Sequence, residues 1–178
     1  WTSNSSTDHD SDGCFDGNWI RSLLLDFESH PTTISYSQTY ISSMISGSGD
    51  DIYVSGKFGT GQSHASLDIE IPGCCSFTSQ SYSDAFVAKY NLTTNSWEWA
   101  INASVTQGSV ITHDMRVGPD GSVYALFSFN IPEHGSFFFG NTSFENLHGA
   151  LSAVVKISKE GTIEWARPLD NSGGGAHP

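Results

Sequence analysis

The chain has 178 residues, enough for one domain with a real core, or part of one, and too few for two large ones. Hydrophobic residues make up 37% and aromatic residues 12% against 15% charged, a composition that can fill a packed interior and does not fit a disordered chain. Against 19 Asp plus Glu stand only 7 Lys plus Arg, and the resulting net charge of -12 repels phosphate backbones and anionic headgroups, so nucleic acid is excluded as an expected partner. No apolar run approaches the roughly 18 to 20 residues of a membrane-spanning helix, and no membrane insertion is expected.

Residues 1–18 form an acidic N-terminal segment. The chain opens at Trp1 without a Met, a basic region or an apolar leader, which reads as a processed protein or a piece of a longer one. In "DHDSDGCFD", Asp8, Asp10, Asp12 and Asp16 occupy positions 1, 3, 5 and 9 of a loop with Gly13 at position 6. Alternating carboxylates can wrap one hard cation while the Gly permits the tight turn, so the stretch resembles the start of an EF-hand-like or thrombospondin type 3-like calcium loop. Position 12, ordinarily a bidentate acid, is Trp19, which leaves water or other residues to complete the shell. The alternative is a solvated acidic linker.

Three cysteines stand at Cys14, Cys74 and Cys75. Adjacent cysteines can join only through a strained vicinal bond, so the expected bridge runs from Cys14 to one of the pair. Four N-x-S/T sequons, at Asn4, Asn91, Asn102 and Asn141, are candidate glycosylation sites. Together with a disulfide they point to an extracellular or cell-surface setting.

From residue 19 onward the chain repeats. "MISGSGDDIYVSGKF" at 44–58 aligns with "MRVGPDGSVYALFSF" at 115–129, pairing Met44 with Met115, Gly47 with Gly118 and Tyr53 with Tyr124 at a constant separation of 71. In each copy two extended runs flank a Gly/Asp turn, a hairpin signal. "DAFVAKYNLTTNSWEWA" at 84–100 aligns with "LSAVVKISKEGTIEWA" at 151–166, where Lys156 stands for Lys89, Glu164 for Glu98 and Trp165 for Trp99. The Lys pair is 67 apart and the Trp pair 66, a difference that a turn absorbs and a strand cannot. "WIRSL" at 19–23 resembles "WARPL" at 165–169 as an earlier Trp strand.

Each run is too short for a helix and bounded by turn residues, so each predicts a strand. With period 2, Trp97 and Trp99 are expected on one face and Glu98 on the other. A unit then reads as Met strand, Tyr strand, a variable stretch with an edge strand, Lys strand and Trp strand. The predicted class is all-β, with antiparallel four-stranded blade-like repeats at 19–100 and 101–166 and a Gly-rich tail at 167–178. Units whose faces are both partly apolar call for stacking, as a partial β-propeller or stacked sheets; the alternative is a β-sandwich.

The succession "DGSVY", then "SDAFVAKYN", then a turn and "WEWA" resembles the SBBP-type β-propeller repeat of secreted bacterial and archaeal proteins, over roughly residues 41–166. The second unit departs from that pattern, with Leu151, Ser152 and Ala153 in place of Asp-Ala-Phe. The resemblance implies four-stranded blades and no known catalytic residues.

Other candidates have ordinary readings beside their functional ones. The seven His, at 9, 30, 64, 113, 134, 148 and 177, make no H-x-x-x-H or H-E-x-x-H, and His113 beside Asp114 is a nominal dyad at a strand start. "GKFGTGQS" at 56–63 lacks G-K-[ST] and is read as a loop. Asp68 with Glu70, or Glu98 with Glu164, are nominees for a glycosidase pair, although recurrence at equivalent positions favours a structural role for the latter. Phe137 to Phe139 and Trp97 can stack on sugars or fill a core.

The expected function is a non-enzymatic extracellular or cell-surface repeat module, structural or adhesive. Its expected partners are further copies of itself or neighbouring blades of a longer chain. A carbohydrate-binding or glycan-cleaving propeller is the alternative.

Overall fold

The structure, a computed structural model, describes residues 38–61, 67–79, 81–130, 136–140, 142–144 and 152–169. Among the described residues the chain is all-β, with no helix. In chain order the strands are β1 (Gln38–Ser46), β2 (Asp51–Gly59), β3 (Asp68–Ile71), β4 (Cys75–Thr78), β5 (Asp84–Asn91), β6 (Ser96–Val105), β7 (Ser109–Val117), β8 (Val123–Asn130), β9 (Phe137–Phe139), β10 (Thr142–Phe144), β11 (Ser152–Ile157) and β12 (Ile163–Leu169). Every pair of neighbouring strands is antiparallel.

The repeat read from the sequence is a repeat of topology. One sheet runs β1-β2-β5-β6 and continues through β9-β10; the second runs β7-β8-β11-β12; β3 and β4 pair only with each other. Each unit is therefore two strands, an inserted hairpin, and two more strands. The variable stretch yields a hairpin where one edge strand was expected. In the second unit that hairpin crosses over, with Phe137 and Phe139 of β9 pairing with Val105 and Ala103 of β6 in the first sheet. The described strands make two blade-like sheets and close no ring.

Irregularities repeat as well. The β1–β2 ladder skips Ser42 and the β7–β8 ladder skips His113, positions separated by the same 71 residues. On the other side of each unit, β6 bulges at Glu98 and β12 at Glu164. A bulge places two residues opposite one and shifts the alternation of faces beyond it. This overturns the expectation that Trp97 and Trp99 share a face. Trp97 is buried with Val54, Phe58, Phe86 and Ala88, whereas Trp99 packs on the opposite core with Tyr53, Ala85 and Val87.

Two cores result. The larger lies between the sheets, where Tyr53, Ala85, Val87, Ala103 and Val105 of the first meet Met115, Val123, Ala125, Phe127, Val155 and Ile157 of the second. Phe137 and Phe139 of β9 close its side, their ring centroids 4.5 Å from Phe129 and 4.8 Å from Phe127 respectively. The smaller lies on the outer face of the first sheet, under Leu67, Ile69 and Ile71 around β3. Each unit's hairpin thus covers the same face of its own sheet.

At the β3–β4 turn the structure joins Cys74 to Cys75. That replaces the expected bridge from Cys14 to one of the pair: the two neighbouring thiols find each other, and Cys14 lies outside the described residues.

Gly47 and Gly118, matched in the sequence, have a common cause. An added Cβ would come within 2.7 Å of the Tyr53 ring at Gly47 and 2.8 Å of the Tyr124 ring at Gly118. Tyr53 is fully buried and cannot give way, whereas Tyr124 is half-buried. Gly47→Ala should therefore destabilise the fold by about 1–3 kcal/mol, the range for overpacking. Gly118→Ala should cost clearly less, and equal urea midpoints for the two variants would refute the distinction.

Candidate functional site

The bulges build the most distinctive feature of each unit. Cross-strand pairing sets Tyr53, Lys89 and Trp99 in one row across β2, β5 and β6, and Tyr124, Lys156 and Trp165 in the matching row across β8, β11 and β12. Because Glu98 and Glu164 are the bulged residues, each carboxylate turns to the Lys of its own row. Lys89 Nζ lies 2.7 Å from Glu98 Oε2 and 3.2 Å from Asp51 Oδ2; Lys156 Nζ lies 2.8 Å from Glu164 Oε2 and 3.0 Å from Asp120 Oδ2. One cation is held between two anions, twice.

The clusters differ in burial. The side chains of Lys89 and Asp51 are 3% and 4% exposed, and those of Asp120 and Glu164 are 50% and 38% exposed. Burial depresses the Lys89 pKa, but the hydrogen bond to Glu98 and the close Asp51 carboxylate outweigh it and hold the ammonium above the usual lysine range. Burial raises the Tyr53 phenol, with the Lys89 charge opposing. Hydrogen bonds to Glu164 and Asp120 raise Lys156. The bond from Lys156, helped by the Ser122 amide, draws the Asp120 carboxyl down to about 2. Asp51 Oδ2 takes no well-directed hydrogen bond and meets its cations as an ion pair.

In the first unit this row is also a docking surface. Tyr53 Oη donates to the Gly121 carbonyl at 3.2 Å, and Trp99 Nε1 donates to the Lys159 carbonyl at 2.9 Å. Lys159 Nζ reaches back to within 3.5 Å of Asp51 Oδ2. Two turns of the second unit, 118–121 and 158–161, are thereby gripped by the first. Gly161 permits this: its φ is 85°, and a Cβ there would fall 2.6 Å from the Trp99 ring.

Most other candidates are placed without being brought together. Asp114 Oδ1 accepts from Arg116 and from the Met115 amide, while the exposed His113 at the β7 bulge bonds to Ser128, so no His113–Asp114 dyad forms. Asp68 and Glu70 are exposed on β3, and Asp68 accepts from Thr78. Gly56 to Gly59 of "GKFGTGQS" belong to β2 rather than to the expected loop. Phe137, Phe139 and Trp97 are buried. Asn91 donates to Asp51 Oδ1 at 3.1 Å and caps the following turn by accepting from the Thr93 and Thr94 amides; Asn102 is half-buried in β6. Asn4, Asn141, Asp8, Asp10, Asp12 and Asp16 lie outside the described residues. Among the described residues no three metal-ligating side chains converge.

No protein-family model matches the chain, and no curated protein or solved structure is significantly similar to it. What the rows can do chemically follows from their geometry alone. Each acid is neutralised by a Lys, which suits rigid positioning of strands and poorly suits proton transfer.

Two predictions separate the clusters. Lys89→Met leaves Asp51 buried without its nearest cation and should cost about 3–5 kcal/mol in chemical denaturation, whereas Lys156→Met should cost far less. The Asp120 carboxyl, at about 2 when folded against 3.8 ordinarily, binds fewer protons folded than unfolded in between. Its stabilisation is present above pH 3.8 and is lost as pH falls toward 2. Asp120→Asn should remove that part of the acid slope, and an unchanged slope between those pH values would refute the assignment.

Proposed function

We propose that this chain is a non-enzymatic extracellular or cell-surface repeat module, a structural or adhesive unit of a larger assembly, related in architecture to the SBBP-type repeat that its sequence resembles. The observation that carries the reading is the fate of the carboxylates. Glu98 and Glu164, the nominees repeated in both units, are each held by the Lys of their own row at 2.7 and 2.8 Å. A pair working on one glycosidic bond must face a common substrate across a gap, and these belong to separate rows. Burial of Phe137, Phe139 and Trp97, with Phe138 half-buried, weighs against the aromatic platforms that a sugar-binding reading relied on.

The acidic charge and the four sequons support an oxidising, extracellular setting. Calcium held by Asp8, Asp10, Asp12 and Asp16 belongs to the same proposal, as a device that orders the N-terminal segment.

The test is incubation of the full chain with a panel of polysaccharides, followed by assay for reducing sugar. No release is expected, from the wild type or from Glu98→Gln and Glu164→Gln. Release that disappears in either variant would overturn the reading in favour of a glycan-cleaving enzyme.

A further inference from the structure

The face of the second sheet that carries Tyr124, Lys156 and Trp165 duplicates a surface that the first sheet uses to hold a neighbour. In the first unit, Tyr53 Oη and Trp99 Nε1 each donate to a carbonyl of the next unit's turns. In the second unit, Tyr124 and Trp165 stand in the same row, 5.9 Å apart between ring centroids as Tyr53 and Trp99 are. Among the described residues their donors have no hydrogen-bond partner. Around them Leu126 and Val154 are half-buried.

Among the described residues the complementary surface is uncovered, on the β1 side of the first sheet. Met44 and Ile41 of β1 correspond to Met115 and Thr112 of β7 at the constant offset of 71. Met115 is 0% and Thr112 1% exposed, Met115 within the core against the first sheet, but Met44 is 47% and Ile41 44% exposed. The turns that correspond to 118–121 and 158–161 are 47–50 and 91–95, and both stand largely in water, Leu92 at 48% exposure.

The charges of the inner joint are rearranged on the two open surfaces. Within the chain, buried Asp51 meets Lys159 of the neighbouring turn. Ser122, which aligns with Asp51, is buried within its own unit, and the acid that meets Lys156 on the open face is the exposed Asp120, 3.0 Å away; on the open turn the counterpart of Lys159 is Leu92. The cation is gone from the open turn, and the acid of the open face is already answered by Lys156. A buried unpaired charge is costly, so a turn that brings no cation suits a face whose acids already have their lysine.

We propose that a second copy of this chain docks its Ile41, Met44 and Leu92 surface against the Tyr124, Leu126, Val154 and Trp165 face, head to tail, extending between copies the joint that already links the two units. The proposal rests on the structural-module reading and names its partner. Asn95 stands where Gly161 lets Trp99 approach, in a turn one residue longer, so Trp165 seats against that turn differently and the correspondence is of faces and donors. The two surfaces are unlike, which makes the contact heterologous: each added copy presents the same open pair again.

Sedimentation velocity of the full 178-residue chain over a concentration series tests it. Species larger than a monomer should grow with concentration. Met44→Asp and Trp165→Ser should each weaken association roughly tenfold or more, as loss of a central anchor does. Tyr124→Phe, which keeps the ring and loses only the donor, should weaken it less and guards against a folding defect at Trp165. A mixture of Met44→Asp and Trp165→Ser, each with one intact surface, should form a one-to-one complex that grows no further. A wild type monomeric at every concentration, association indifferent to both substitutions, or a mixture without recovery would each overturn the interface. A monomer that releases no sugar sinks this joint and leaves the module reading standing; an associating chain that releases sugar does the reverse.

Discussion

One extra residue in the last strand of each unit, Glu98 in β6 and Glu164 in β12, decides what the rest of that strand can do. Without the bulge the Glu would point away from the Lys of its row, and the residues on either side would share a face. With it, Glu98 closes on Lys89 at 2.7 Å while Trp97 and Trp99 separate, one to each core. The bulge thus spends an extra residue to seal both faces of a sheet with indole rings and to give a buried lysine its second anion. Its recurrence at Glu164, with Lys156 at 2.8 Å, marks it as part of the unit's plan.

Lys89 shows why the arrangement needs two anions. Burying an ammonium costs several kcal/mol, and a single ion pair seldom returns more than it costs. Here Glu98 lies on one side, Asp51 on the other, and Lys159 of the second unit shares Asp51 from across the joint. The last contact ties the electrostatics of one sheet to the position of the next. Lys156 has the same two-anion setting near solvent, where screening makes it a weak contributor and its geometry serves mainly to hold β11 against β12.

The strands and their order were legible because the signals were local or periodic. Met44 with Met115 and Tyr53 with Tyr124 located the first two strands of each unit, and Lys89 with Lys156 located the third. The bulges were not legible, since a strict period of 2 has no place for an unpaired residue and read Glu98 as pointing away. Asp51 and Asp120 were missed for a related reason: the acid partner has moved from the strand start in one unit to the turn in the other, so alignment by number sets Asp51 against Ser122. The crossing of β9 onto β6 is set by tertiary packing of Phe137 and Phe139, and nothing in "SFFFG" names the strand it joins. The Cys74–Cys75 bond was set aside because a vicinal bridge is strained, yet the hairpin turn at Gly73 brings no other described thiol within reach.

The joint between the sheets also constrains any larger object made from this chain. A fixed contact between units imposes a fixed rotation and rise from one unit to the next. If the contact between copies repeats the contact within a copy, the units form a single series with nearly one step, and the boundary between chains becomes one joint among equals. The Asp51 and Lys159 pair belongs to the joint within a chain, while a joint between copies would set Leu92 in the place of Lys159 and Asp120 in that of Asp51, so the joints would alternate in chemistry while agreeing in geometry. That alternation has a counting consequence. A series that closes on itself would contain an even number of units, because each chain contributes two and an odd remainder would leave Asp51 without Lys159.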